Sequence, residues 1–326
     1  MNTYREHPSL SQSFLKSLEG HPKYASTGKK SKAFDIGNLV DTLLTDNDNF
    51  YNIYAVYEGN VPTEKMKLLA DRFVEIALFT KSNGEAYYPD NIVLQARADV
   101  QYDSRLSAAT ILKKFAEDAS DYTDFCIANY DKQVVSAQDN ILARQLANSC
   151  KQDFPDWFIP TDYVEIMFQQ ELYFEYDLNG VPIECKALPD IIRVDHINKT
   201  IEIADVKTYA DDFVDNYWKY RYYYQAEYYL YAVVQFLNDV NIPKDYTIKD
   251  FYFITIDKSG FKGNLLYKHN SNYRTTLWSG GRIYDNKGRY IKLKGLKQLI
   301  KEYYYHSSTG NWEYPYEYLT KNYILL

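Results

Sequence analysis

The sequence is short of cysteine. Its three thiols, Cys126, Cys150 and Cys185, cannot make a full set of disulfides, and none belongs to a C-x-x-C pair. That excludes a disulfide scaffold, a four-cysteine zinc or iron–sulfur centre and a dithiol redox motif, and it suits a reducing, cytoplasmic setting. Long apolar runs are missing as well. No stretch approaches the roughly 20 residues that a bilayer-crossing helix needs, and the opening MNTYREHPSLSQSF lacks the apolar centre of a signal peptide. A soluble, unexported protein with no membrane partner is expected. A third absence is a basic excess: 37 basic and 44 acidic side chains leave a net charge of −7, which speaks against a general polyanion binder if the charge is evenly spread.

Tyrosine, by contrast, is plentiful. The 326 residues include 35 Tyr against 16 Phe and 4 Trp, within a hydrophobic share of 46%. Such a composition excludes a disordered or collagen-like chain. Much of its apolar area carries a hydroxyl that needs a partner, so a polar-lined surface is expected.

Patterning along the chain predicts a mixed α/β (α+β) protein with a helical N-terminal half. Ser11 or Ser13 can cap a short helix carrying Phe14, Leu15 and Leu18. In AFDIGNLVDTLL, Phe34, Val40, Leu43 and Leu44 recur at helical spacing, which predicts a buried helix over 33–45. Segments 62–81 and 104–118 have Pro or Ser starts and amphipathic periods, so 60–150 reads as mainly helical. From residue 163 the texture changes to three consecutive strands: 163–178, 181–194 and 201–209. Asn179-Gly180 joins the first two in a type I′ hairpin and DHINKT joins the next pair. One long helix over 216–238 and a short apolar strand over 251–257 complete a central sheet flanked by helices.

The hairpins allow a register argument. If Val194 pairs with Ile201, Asp190 lies directly across from Asp205. Pairing Leu178 with Val181 places Glu171 opposite Leu188 and diagonal to Asp190, and strand alternation puts Lys207 on the face of Asp205. Directly opposed like charges are unfavourable in a sheet and ask for a cation between them. Three carboxylates and a lysine suit Mg²⁺, or Mn²⁺ in its place, bound through hard oxygen ligands. Such an ion serves phosphodiester hydrolysis, with the lysine orienting water or stabilising the transition state. The same residues admit a second reading, a solvated sheet face on which the lysine balances the acids. Pro182 and Pro189 are placed to bulge the middle strand and alter the register.

The order of ALPDII (Asp190), IADVKT (Asp205 and Lys207) and QAEYY (Gln225 and Tyr229) resembles the PD-(D/E)XK nuclease superfamily. Within it, the RecB-like branch and its phage relatives of the exonuclease VIII and lambda exonuclease type are most similar. LSQSFLKSLEGHPKY is similar to the opening helix of that branch. The resemblance spans residues 10–230 and implies a single nuclease domain with a restriction-endonuclease-like core. Its parts are N-terminal helices over 1–60, a helical insertion over 61–160, a catalytic sheet and Q-x-x-x-Y helix over 161–257, and a basic aromatic segment over 258–326. By the resemblance, Asp190 and Asp205 are metal ligands, with the Val206 carbonyl as a further one, and Lys207 is the catalytic lysine. Glu171 matches an additional acid, and Gln225 and Tyr229 position DNA or the active-site strands. Asp41 stands where this branch most often has His and is a candidate ligand, because aspartate also suits Mg²⁺.

The implied activity is a Mg²⁺-dependent exonuclease acting on linear double-stranded DNA ends in phage or bacterial recombination or repair. The implied partners are a single-strand annealing protein and further copies of the chain in a ring. A structure-specific endonuclease and a catalytically silent DNA-binding protein are the alternatives. Charge distribution fits a nucleic-acid partner: residues 258–301 carry eleven basic side chains against one acid, a net +10, whereas the remainder carries 26 against 43, a net −17. Tyr267, Tyr273, Trp278, Tyr284 and Tyr290 interleave with that basic stretch, suiting phosphate contact and base stacking. The competing reading is a surface hairpin whose cations pair with the acidic body. Lys29, Lys30 and Lys32 form a smaller basic cluster before the Asp41 helix.

Overall fold

The protein, seen in a computed structural model, is described over residues 4, 6–20, 22–26, 36–239, 245–260 and 262–321. Lys29, Lys30, Lys32 and Phe34 lie outside the described residues. The chain divides into two compact units, residues 46–145 and residues 1–45 with 146–326. Among the described residues no helix is long and apolar enough to cross a membrane.

The unit over 46–145 is mainly helical. In Glu64–Ser82 the buried positions Met66, Leu69, Ala70, Phe73, Ile76 and Ala77 follow the three-and-four spacing of one helical face. They pack on Ile92, Val93 and Ala96 of Pro89–Asp99 and on Ile111 and Phe115 of Ala108–Asp118. Burying each such large side chain contributes roughly 1.5–3 kcal/mol. Ser107, rather than Ser104, caps the last of these helices by accepting from the Thr110 N–H. Strands Tyr54–Tyr57 and Gln133–Ser136 add a parallel pair.

The other unit has a mixed α/β fold. Its five-stranded sheet runs Leu265–Lys268, Thr247–Asp257, Thr200–Tyr209, Ile191–Asp195, Val164–Phe168. Within this sheet Thr200–Tyr209 and Thr247–Asp257 pair in parallel, and the helices between them make the crossover that such a pair requires. A second sheet joins Leu10–Ser11, Val181–Ala187 and Leu172–Leu178. Asn179 (φ 53°) and Gly180 (φ 87°) both occupy the left-handed region, as the Asn-Gly turn demands.

Two expectations are corrected here. The run 163–178 is two strands, not one, and 181–194 is likewise divided between the two sheets. The break falls at Gln169 (φ 47°) on one side and at Leu188-Pro189-Asp190 on the other, where proline withholds a ladder N–H. The helix expected over 216–238 is also two, Phe213–Lys219 and Tyr222–Asp239, because Arg221 takes a φ of 55°. The core of this unit joins Ile192, Val194, Ile201 and Ile203 to Phe251, Phe253 and the tyrosine helix. Two of its buried tyrosines find partners for their hydroxyls: Tyr228 donates to the Leu10 carbonyl at 2.7 Å and Tyr224 to Glu19 at 2.8 Å.

Candidate active site

Asp190 is the residue just before the strand Ile191–Asp195, and Asp205 and Lys207 lie two apart on Thr200–Tyr209. The Val194–Ile201 pairing is present. Continuing that register brings Asp190 level with Asp205. Ser11 caps the helix Gln12–Ser17 at the mouth of the same cleft, and Asp41 comes from the helix Ile36–Thr45. Together they line a cleft of about 570 Å³ that includes Asp41, Asp190, Asp205, Lys207, Gln225 and Tyr229.

The sequence reading missed Gln169, which is central to this arrangement. Its backbone N–H donates to the Asp190 carbonyl at 3.0 Å. Its side-chain Nε2 lies 3.2 Å from Asp190 Oδ1, 3.2 Å from the Thr45 hydroxyl and 3.4 Å from Asp41 Oδ2. The signal was available, because continuing the Leu178–Val181 register places Gln169, not Glu171, directly opposite Asp190. Glu171 is not brought to the cluster. It follows the left-handed kink at Gln169, so strand alternation no longer carries it to the Asp190 face. It is exposed, and its carboxylate accepts from the Tyr173 hydroxyl at 3.0 Å.

Other contacts hold the carboxylates in place. Asp190 Oδ2 accepts the Val206 N–H at 2.7 Å, which is the contact that Val206 makes to the cluster. Asp205 Oδ1 accepts from Gln225 Nε2 at 2.6 Å, and its Oδ2 is ion-paired with Lys207. Tyr229 lies one turn beyond Gln225, and burial, with the charges of Asp205 and Asp190, pushes its phenol well up.

Electrostatics divide the roles. Burial and the negative charges of Asp205 and Asp41 push the Asp190 carboxyl well above the usual carboxylate range, although Lys207 and the Val206 N–H pull the other way. Burial alone lowers the Lys207 ammonium, but Asp205 and Asp190 outweigh it and hold this group above its ordinary value. Its ammonium also sits 5.1 Å from the Tyr222 ring. The raised value favours the charged ammonium over a neutral amine. Lys16 is lowered by burial and by the like charges of Lys207 and Arg221, so positive potential builds up beside the carboxylates.

The donor set fits a hard divalent cation in its chemistry: oxygen ligands, mutual repulsion and one lysine to offset several acids. The Gln169 amide lies next to two of its carboxylates, Asp41 and Asp190. Among the described residues no three His, Cys, Asp or Glu side chains close into a metal-holding group. Replacing Gln169 by Ala removes the donors that face Asp41 and Asp190. We expect the melting temperature in EDTA to fall, with a cost of about 1–3 kcal/mol, and to fall further at pH 8 than at pH 5. The repulsion exists only when Asp190 is ionised, and its raised pKa places that ionisation above the usual range. Equal melting of variant and parent at both pH values would remove Gln169 from this role.

The basic segment follows its competing reading in part. Lys268, Arg274, Lys287, Arg289 and Lys294 are paired with Asp250, Glu227, Asp215, Asp285 and Glu302. Trp278 packs on Tyr231 and Tyr176, and Tyr267 on Phe213, whereas Tyr284 and Tyr290 are exposed.

No family model matches the chain, and no curated protein matches it. Among solved structures the chain is similar to a "Putative exonuclease" from Eubacterium rectale, with 12% identity, 82% of this chain and 74% of that one covered, and a TM-score of 0.38. It is also similar to SSO0001, with 12% identity, 73% and 78% covered and a TM-score of 0.23.

Proposed function

We propose that the chain is a Mg²⁺-dependent DNA nuclease of the PD-(D/E)XK type, of the RecB-like branch, acting as an exonuclease on linear double-stranded DNA. The observation that carries this reading is the meeting of Asp41, Asp190 and Asp205 in one cleft with a lysine kept protonated by two of them. Asp190 and Asp205, with Asp41 on the other side of the Gln169 amide, would hold the ion. When bound, Mg²⁺ lowers the pKa of water and neutralises charge on the phosphodiester. Lys207 donates hydrogen bonds to the attacking water or to a phosphoryl oxygen and offsets charge that grows as the water oxygen bonds to phosphorus and the ester P–O bond breaks, the water giving up a proton to solvent and the leaving oxygen taking one from it. Gln225 orients Asp205 through its 2.6 Å hydrogen bond. Gln169 keeps Asp41 and Asp190 from separating. A larger cavity of about 860 Å³ is lined by Glu175, Asp177 and Glu184, whose charges oppose a phosphate chain.

The test compares end-labelled linear duplex with covalently closed circles, in Mg²⁺ and in EDTA. Degradation confined to linear DNA and abolished by EDTA is expected. Cutting of circles would instead mark a structure-specific endonuclease. DNA binding with no cleavage in Mg²⁺ or Mn²⁺ would sink the enzymatic reading and leave the silent DNA-binding one.

A further inference from the structure

A two-stranded hairpin pairs Gly281–Tyr284 with Tyr290–Leu293, and its two faces differ in chemistry. Ile283 and Leu293 are buried, and Ile291 packs against the same core. Arg282, Tyr284, Tyr290 and Lys292 are all exposed on the opposite face. The register sets Arg282 directly against Lys292 and Tyr284 directly against Tyr290.

Opposed like charges are unfavourable unless something anionic lies over them. The cations of the connecting turn have acidic partners, Lys287 with Asp215 and Arg289 with Asp285. Among the described residues neither Arg282 nor Lys292 forms an ion pair. The two rings are 59% and 64% exposed, large values for aromatic side chains that share one face. The Arg282 guanidinium lies 5.4 Å from the centre of the Tyr290 ring, which keeps cation and ring side by side.

Phosphates and unpaired bases complement this surface in both respects, since alternating anion and flat ring is the chemistry of a single strand. A duplex matches it less well, because its bases are already stacked on one another and leave the rings without partners. We propose that this hairpin face binds single-stranded DNA, with Arg282 and Lys292 on phosphates and Tyr284 and Tyr290 stacked against bases. This deepens the proposed function by adding an unpaired strand to its substrate. It rests on that reading for the identity of the nucleic acid and not on hydrolysis.

Binding is measured in EDTA over a salt series, with a labelled oligothymidylate and an abasic deoxyribose-phosphate chain of equal length. The wild-type protein should prefer the thymidylate by about tenfold. The double variant Tyr284→Ala/Tyr290→Ala should lose that preference and keep the salt dependence. In Arg282→Gln/Lys292→Gln, both ligands should bind more weakly, and the slope of log affinity against log salt should flatten by about 1.4. All four positions are exposed, so folding is expected to survive, and a melting curve checks it. Equal affinity of the wild type for the two ligands, or an unchanged preference in the tyrosine variant, overturns the proposal. Hydrolysis of linear duplex by the wild type in Mg²⁺ reads the nuclease proposal separately. Hydrolysis without base preference defeats the hairpin alone, and base preference without hydrolysis defeats the nuclease alone.

Discussion

Replacing Lys207 by Met should lower the hydrolysis rate by about a thousandfold, the loss typical when one preorganised charge is removed from a phosphoryl or acyl transition state. DNA binding in EDTA should stay within a small factor of the parent, since only one of several cations near the cleft is lost. The same change should lower stability, because Asp205 is 2% exposed at its side chain and would be left without its ammonium partner. Breaking a buried pair from one side costs about 3–5 kcal/mol, and somewhat less here because the Lys207 side chain is partly exposed. Lys207→Arg separates the two effects. It keeps the charge and the pairing, so melting should stay near the parent value, while the bulkier planar guanidinium misplaces the donor and activity still falls. A Lys207→Met protein that cleaves at the parent rate would refute the role given to the lysine. The pH dependence has a defined sign. Asp205 and Asp190 raise the Lys207 pKa above its unfolded value, so its stabilising contribution is complete below that value and is lost only as the pH climbs through the higher folded one. No descending limb from lysine deprotonation is expected in the activity profile at neutral to mildly alkaline pH.

Adding Mg²⁺ should raise the melting temperature of the wild type at pH 8, a measurement independent of cleavage. Saturation to about a hundred times the dissociation constant stabilises a folded state by about 2.7 kcal/mol, roughly 5 °C or more for a unit of this size. The gain comes from relieving the repulsion that, together with burial, raises Asp190. It should shrink as the pH falls through the raised Asp190 value, because a protonated carboxyl neither repels its neighbours nor ligates the ion. In Asp190→Ala the shift should disappear, and in Asp41→Ala it should be reduced. A Mg²⁺ shift that survives in Asp190→Ala would place the ion elsewhere.

Much of the cleft was legible in local sequence. Asp190, Asp205 and Lys207 are tied together by one hairpin whose register follows from a short turn, and the alternation of strand side chains does the rest. Gln225 and Tyr229 were legible as one face of a helix. Glu171 was misplaced because strand alternation was carried through Gln169, whose left-handed backbone turns the chain out of the pleat. Gln169 itself lay opposite Asp190 in the same register. A glutamine carries no charge signal in the sequence, yet the cluster needs a donor between its acids.

By itself the sequence determined the mixed α/β character and the two hairpin registers that set Asp190, Asp205 and Lys207 beside one another, since these follow from periodicity and turn chemistry over short stretches. Only the tertiary structure decided that the long hairpin divides between two sheets, and that Asp41 approaches Asp190 through Gln169. It also decided that, among the described residues, Lys268, Arg274, Lys287, Arg289 and Lys294 of the basic segment pair with acids while Arg282 and Lys292 form no ion pair. Apart from Arg289–Asp285 and Lys294–Glu302, which are four and eight residues apart, those are pairings between residues distant in the chain. Their geometry is set by how helices and sheets pack, which no local pattern encodes.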